Sequence, residues 1–330
     1  MKVLVVCSRR YYAPYTDYVA PFIYEQVEAL RTRGVECEYY LIAGGWRGYL
    51  KALRGIRKAA KTFQPDIIHA HSGLCNLVAV LSLLTRNSKR HSTNPQYSTK
   101  IVATFHGSDV NARSVRWLSK IAMRLADYNI FVSEQLRHIA GDVPRSAVIP
   151  CSVDTNFFHA MDKAESRQLL GWEQDKTYIL FSKEFADRVK NYPLAKAAIE
   201  KISPLFDGVG GIELVELYGY NRQQMVWLYN ACDCGLMTSF TEGSPQFIKE
   251  AVACGCPIVS TDVGDVREVI EGVPNARICR YDAADVAAQL QEVMAVGHLT
   301  QPALAERYTK NVITDNLLKI YNSLKIYNSL

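Results

Sequence analysis

No apolar run in this chain of 330 residues approaches the roughly 20 residues of a membrane-spanning helix, and the longest, Leu77–Leu84, falls far short. The opening Met1-Lys2-Val3-Leu4-Val5-Val6-Cys7-Ser8 resembles a signal peptide only superficially. Its apolar part is below the roughly seven to fifteen residues such a peptide needs, so it is expected to be a first buried strand. No glycine occurs between Ser8 and Tyr15, which excludes the Gly-x-Gly-x-x-Gly turn of an NAD-dependent enzyme after that strand. No Asp-x-Asp occurs either, so no Mg²⁺ or Mn²⁺ bridge to a diphosphate is indicated. The nine cysteines are odd in number and sit mostly in apolar runs, which suits reduced thiols in a cytoplasmic protein better than a disulfide framework. Zinc is not indicated: Cys232-x-Cys234 and Cys254-x-Cys256 are spaced too tightly, and His69-x-His71 lacks a third ligand. No metal and no cofactor is expected.

What is present is an ordinary globular balance, 48% hydrophobic and 22% charged, with enough length for two domains that each bury a core. The net charge of +5 is unevenly spread. Residues 1–150 carry +11 and residues 151–330 carry −6, which points the front half at an anionic partner, either a membrane surface or an acidic acceptor. No nucleic-acid partner is expected. Tyr49–Phe63 is a basic amphipathic helix in which Arg54, Arg57, Lys58 and Lys61 share a face. It reads equally as a dock for anionic lipid and as a solvated face.

Short apolar runs alternate with helical patterns, which implies parallel α/β sheets. In the first half Val3–Cys7, Cys37–Ile42, Asp66–Ala70, Ile101–Phe105 and Asn129–Val132 are expected strands. Pro21–Arg33, Tyr49–Phe63, Leu74–Leu84 and Val115–Ala126 are expected helices, and Ser133 caps another over Glu134–Ala140. The series restarts after Ser152–His159 with strands at Tyr178–Ser182, Ile212–Leu217, Gly235–Thr238 and Pro257–Ser260. Two doubly wound halves facing each other across a cleft are expected, with ligands at the carboxyl ends of the strands. The tail repeats KIYNSL, at Lys319–Leu324 and Lys325–Leu330. A period of six fits no helical face, so the second copy is read as a duplication without function.

The most informative segment is Ser239-Phe240-Thr241-Glu242-Gly243-Ser244-Pro245-Gln246-Phe247-Ile248-Lys249-Glu250. A strand ends near Ser239; Ser244 is expected to cap a helix and Pro245 to occupy its first position. Gly243 keeps bulk away from the helix end, whose amides and dipole suit a diphosphate. Glu242 then lies beside the phosphates, and Glu250 about 7.5 Å along the helix, within reach of a ribose. This stretch resembles the Glu-x7-Glu motif of glycosyltransferase family 4, the group 1 glycosyl transferases, which are retaining enzymes of the GT-B fold.

The likeness extends through Ala251–Thr261 and includes Asp66–His71, Val148–Pro150 with Val153-Asp154, and Asn230–Asp233. It implies an acceptor-binding domain over residues 1–153 and a nucleotide-sugar domain over 154–330, the last helix being free to cross back. Glu242 would touch the transferred sugar, with Gly243, Ser244, Pro245, Gln246 and Phe247 at the donor and Glu250 at the ribose. His106, in the strand-end sequence Thr104-Phe105-His106-Gly107, would meet the donor sugar. Lys190, in the loop Phe185–Pro193, would neutralise the leaving diphosphate. The family's arginine usually precedes that lysine by several residues; here Arg188 stands two before it, and Lys183 is the alternative second cation. A second departure is the loop after the first strand, where tyrosines replace glycines; Tyr11, Tyr15 and Thr16 are the acceptor candidates.

The expected activity is therefore metal-independent transfer of a sugar from a UDP- or GDP-sugar to a glycan or lipid-linked acceptor, in surface polysaccharide synthesis. The acceptor hydroxyl would attack on the face the diphosphate leaves, with a phosphate oxygen taking its proton. A cytoplasmic location, peripheral on the membrane's inner face, is expected. The alternatives are a nucleotide-sugar 2-epimerase of the same fold and a non-catalytic nucleotide-sugar sensor or scaffold, the latter favoured by the shifted Arg188.

Overall fold

The computed structural model describes residues 1–9, 19–83, 99–206, 208 and 210–326. They form two compact units, one from Met1–Ser152 together with the segment that begins at Lys310, the other from Val153–Thr309.

The first unit runs β1 (Lys2–Ser8), α1 (Pro21–Thr32), β2 (Glu36–Ile42), α2 (Trp46–Phe63), β3 (Ile67–His71), α3 (Gly73–Leu83), β4 (Lys100–Phe105), α4 (Ser108–Asn111), α5 (Arg113–Leu125), β5 (Tyr128–Phe131), α6 (Glu134–Ala140) and β6 (Ser146–Val148). Its strands are ordered β2-β1-β3-β4-β5-β6 and all pair in parallel. Helical crossovers cover both faces of such a sheet, which is why β1 is buried continuously from Val3 to Cys7. Alternate residues of β1 serve opposite layers. Val3, Val5 and Cys7 join Ile23, Val27 and Leu30 of α1, whereas Leu4 and Val6 join Ile56 of α2, Ala79 of α3 and Met123 of α5. The helix expected over Val115–Ala126 begins two residues earlier, behind the short α4, and Ala112 is the extended residue that breaks them. Ser133 caps α6 as expected, its hydroxyl accepting from the Leu136 amide at 3.3 Å.

The second unit runs α7 (Lys163–Leu170), β7 (Thr177–Phe181), α8 (Tyr192–Ile202), β8 (Ile212–Glu216), α9 (Arg222–Ala231), β9 (Cys234–Met237), α10 (Gln246–Ala253), β10 (Ile258–Thr261), α11 (Val266–Ile270), β11 (Ala276–Cys279) and α12 (Ala283–Val296). The order β11-β10-β9-β7-β8 is again wholly parallel. The chain steps from β7 outward to β8, then returns to place β9 on the other side of β7. That reversal opens a crevice at the carboxyl ends of β7 and β9, where ligands of open α/β sheets bind. Strand β11 escaped the sequence reading because its four residues Ala276-Arg277-Ile278-Cys279 carry an arginine, which at this edge reaches Glu292 of α12 at 3.3 Å.

The final helix, α13 (Lys310–Ile326), belongs to the first unit and packs beside α1. Ile313, Leu317, Ile320, Tyr321 and Leu324 enter the core, and the Tyr321 hydroxyl meets His69 Nδ1 at 2.6 Å. The first KIYNSL copy is thus structural; most of the second lies outside the described residues. Tyr321→Ala is predicted to destabilise the first unit by about 3–5 kcal/mol in urea unfolding, with Tyr321→Phe recovering most of the loss.

Candidate functional site

Two loops meet at the strand reversal of the second unit. The loop after β7 turns through a single 3₁₀ turn, Arg188–Lys190, whose start is capped by Asp187 accepting from the Val189 amide at 3.0 Å. The loop after β9 is fastened to it by backbone: the Phe240 amide donates to the Val189 carbonyl at 2.9 Å. The Thr238 hydroxyl also donates to the carbonyl of Lys190 at 2.8 Å. The result is a direct ion pair between Lys190 Nζ and Glu242, 52 residues apart in sequence and each with only 16% of its side chain exposed. A cation and a carboxylate so held can flank opposite charges as they develop on a leaving group and a sugar. At the ends of β7 and β9, the buried hydroxyls of Ser182 and Ser239 have no hydrogen-bond partner among the described residues. Buried donors are normally satisfied, so they suit a polar ligand.

Helix α10 begins one residue later than expected. Pro245 is its N-cap, in extended conformation, and no side chain caps the helix. Ser244 is displaced from capping by a stronger engagement. Its hydroxyl donates to Asp265 at 2.7 Å and accepts from Lys249 Nζ at 2.5 Å, while Lys249 also lies 3.1 Å from Asp265. Lys249 is wholly buried and Asp265 nearly so. A lysine of α10 and an aspartate at the start of α11 thereby clamp the turn that precedes α10. The clamp needs close backbones: Gly264 has φ +64°, and a Cβ there would stand 2.7 Å from the Gly243 carbonyl oxygen. Phe247, expected at the donor, sends its ring into the core against Tyr229, with centroids 5.7 Å apart. Its backbone amide alone stays in the first turn.

Glu250, the carboxylate expected at the ribose, is buried and doubly hydrogen-bonded. It is 1% exposed; one oxygen accepts from Arg222 Nη1 at 2.5 Å and the other from the Tyr229 hydroxyl at 2.8 Å. Burial and the adjacent Glu250 push the Tyr229 phenol well above its usual pKa, so it stays a donor. Arg222 lies over the Phe158 ring at 4.4 Å. Nothing in the sequence marks Arg222, which stands at the first turn of a helix 28 residues before Glu250. Also unforeseen is an exposed aromatic pair next to Glu242: Phe240 and Tyr281 stack at 5.7 Å, and the Tyr281 hydroxyl donates to the Ser239 carbonyl at 2.9 Å. Lys183 and Arg188 are both exposed, and among the described residues neither forms an ion pair. Tyr11, Tyr15 and Thr16 lie outside the described residues.

In the first unit His106 follows β4 and closes a histidine ladder. His69 Nε2 lies 2.7 Å from Thr104 Oγ1, His69 stacks on His71 at 4.4 Å, and His71 Nδ1 is 2.9 Å from His106 Nε2. Phe22 covers His106 at 4.8 Å. Burial holds His69 down to about 3 and His106 down to about 4, and holds His71 well below the usual histidine range, with neighbouring imidazoles adding to the effect on His69 and His71. His106 is therefore a neutral hydrogen-bonding group at physiological pH. Among the described residues no group of three or more His, Cys, Asp or Glu side chains is arranged to hold a metal ion.

A Glycosyltransferase Family 4 domain matches residues 2–157, and a Glycosyl transferases group 1 domain matches residues 185–295. The chain belongs to the family 4, group 1 glycosyltransferases. Its two parallel-sheet Rossmann-like units are those of the GT-B fold. Among curated relatives, the chain is 25% identical over 281 residues to the D-inositol 3-phosphate glycosyltransferase of Mycobacterium sp. (strain KMS), covering 74% of this chain and 63% of that protein. It is 28% identical over 225 residues to a provisionally named teichuronic acid biosynthesis glycosyltransferase, TuaC, of Bacillus subtilis, covering 61% and 54%. The chain spans between 42% and 63% of the length of the first curated relatives it matches. The structure of Anabaena HepE in complex with UDP and glucose superposes with a TM-score of 0.68 at 14% identity, over 98% of this chain and 100% of that one.

Two predictions test the geometry. Lys249→Met leaves Asp265 buried and unpaired and is expected to cost about 3–5 kcal/mol in chemical unfolding, whereas adding Asp265→Asn recovers a large part of it. The histidine ladder makes stability pH-dependent. Folded pKa values lie below the unfolded value of 6.5, so the unfolded chain binds the extra protons. Stability is full above about pH 6.5 and falls as pH drops towards 4, with about three protons taken up by these residues on unfolding at pH 5. In His71→Asn the slope of unfolding free energy against pH near pH 5 should shrink by the equivalent of about one proton.

Proposed function

We propose that this chain transfers a sugar from a nucleoside diphosphate sugar, UDP- or GDP-linked, to a glycan or lipid-linked acceptor in surface polysaccharide synthesis. The observation that carries the reading is the Lys190–Glu242 pair at the strand reversal, beside the start of α10. The diphosphate sits at the first turn of α10, where the helix dipole and backbone amides favour an anion. Lys190 turns from Glu242 to the phosphates and stabilises them as they leave, with Arg188 or Lys183 as a second cation. Glu242, so released, faces the positive charge that grows on the sugar. The hydroxyls of Ser182 and Ser239 supply further donors to the phosphates. The ribose reaches Glu250 by replacing the Arg222 guanidinium. A departing phosphate oxygen takes the acceptor's proton. No cofactor takes part beyond the donor itself.

Support for a nucleotide-sugar donor comes from the family and from the fold shared with HepE, which was solved with UDP and glucose. Support for a polysaccharide product comes from the likeness to TuaC. No helix among the described residues is long and apolar enough to cross a membrane. The basic first half works, in this reading, peripherally at the anionic inner face of a membrane.

Thermal-shift screening against UDP, GDP and their sugars should show stabilisation by one nucleotide diphosphate, and Glu242→Ala should lower product formation at least about 100-fold with folding unchanged. Product formation that survives Glu242→Ala, or sugar release at the same rate without any acceptor, contradicts the assignment.

A further inference from the structure

The layer of helices on one face of the first unit has an unusual outer surface. Helix α3 lies between α2 and α5, and all three cover the same side of the sheet. Not one Asp or Glu occurs in α2, α3 or α5, while α2 carries Arg47, Lys51, Arg54, Arg57, Lys58 and Lys61, and α5 carries Arg116, Lys120 and Arg124. The nearest carboxylates that follow α2 and flank α5 in sequence, Asp66, Asp109 and Asp127, each accept a hydrogen bond from a backbone amide. Large apolar side chains stand among the cations. Trp46 is 68% exposed and Leu50 56% on α2, Leu81 41% on α3, Trp117 59% and Ile121 40% on α5.

The pattern is ordered. Trp117, Lys120, Ile121 and Arg124 recur three or four residues apart and form one exposed stripe of α5. On α2, Trp46, Leu50, Arg54, Lys58 and Lys61 do the same. Arg57 ties the layer together, its Nε donating to the Ser82 carbonyl of α3 at 3.1 Å, and with Leu50, Lys51, Leu53 and Arg54 it lines a shallow groove. Solvated charge alone would explain the cations but leaves two bare tryptophans and three bare aliphatic side chains without cause. A protein partner of ordinary composition would bring both signs of charge. Only a surface that is anionic at its boundary and apolar beneath satisfies both sets at once, because tryptophan favours the headgroup level and Lys and Arg reach the phosphates.

We propose that the outer surface of α2, α3 and α5 docks on an anionic lipid bilayer, with Trp46, Leu50, Trp117 and Ile121 entering the headgroup region inside a ring of phosphate-binding Lys and Arg. This deepens the membrane part of the proposed function, on which it rests, by assigning the contact to one helical layer and to both charge and apolar insertion. No covalent chemistry is involved.

The test is vesicle flotation of the whole protein, with phosphatidylglycerol–phosphatidylcholine vesicles set against phosphatidylcholine alone, at low salt and at about 1 M salt. The wild type is expected to float with the anionic vesicles at low salt and to lose most of that binding in high salt. The triple variant Arg54→Gln, Lys58→Gln, Lys61→Gln should weaken partitioning about 100-fold, near fivefold for each cation removed. Trp46→Ser with Trp117→Ser should weaken it about tenfold at unchanged charge. Unchanged unfolding midpoints in both variants separate lost docking from misfolding, since all five side chains are on the surface. Failure of the wild type to bind anionic vesicles overturns both this surface and the membrane reading. Wild-type binding that both variants retain overturns this surface alone. Binding abolished by soluble heparin and indifferent to the tryptophan variant overturns it in favour of an acidic glycan site. None of these outcomes touches donor binding, which thermal shift with UDP or GDP reads independently.

Discussion

The second unit is organised around the ion pair of Lys190 with Glu242, which two strand-end loops deliver from far apart in the chain. Parallel strand order makes this meeting inevitable: β7 and β9 are neighbours in the sheet, yet their chains leave in opposite directions, so their following loops border one crevice. Backbone bonds from Phe240 to Val189 and from Thr238 to Lys190 then fix the two loops against each other. In the absence of a donor, each member of the pair neutralises the other in a largely buried place. In the proposed reaction a diphosphate sugar would offer each a new partner, phosphate to the lysine and the electron-poor sugar carbon to the glutamate. Under the proposed function the pair would be a resting state whose separation is the first consequence of donor binding.

Rigidity at the start of α10 comes from beneath. Lys249, Ser244 and Asp265 form a buried charged network that holds the turn before the helix and the turn before α11 as one piece. Burying a charge is costly unless it is fully paired, and replacing such a network by apolar side chains would often be neutral for stability. Its retention here is consistent with a positional role, keeping Gly243 and the first-turn amides in one arrangement. Glu250 is treated similarly, with Arg222 and Tyr229 on its two oxygens. A carboxylate held on both oxygens is preorganised, so its position is fixed without ordering a free side chain.

Most of the fold was legible because its strands are buried on both faces and therefore appear as unbroken apolar runs, Val3–Cys7 and Ile101–Phe105 among them. Elements that lack this mark were missed: β11 carries Arg277, and the short polar α7 shows its Asp162 cap only once the helix is seen. Within the site, Glu242 and Lys190 were found from a local motif and a loop position, and the structure brings them together. The capping role given to Ser244 failed because a side chain with a buried Lys and Asp within reach prefers those charged partners to a backbone amide. The pairing of Arg222 with Glu250, and the hydrogen bond between His71 and His106, were beyond reach since they join separate elements, and no local spacing encodes such a contact. The basic face was visible only in part: the sequence displayed α2, while its continuation across α3 onto α5 depends on packing.

The central claim, that Lys190 leaves Glu242 to hold the donor's phosphates, is tested most directly by calorimetric titration of wild-type and Lys190→Ala protein. UDP is compared with uridine, and GDP with guanosine. The account predicts that Lys190→Ala weakens binding of the preferred diphosphate by about tenfold or more and leaves binding of its parent nucleoside unchanged. Equal weakening of both, or unaltered diphosphate affinity, would contradict it.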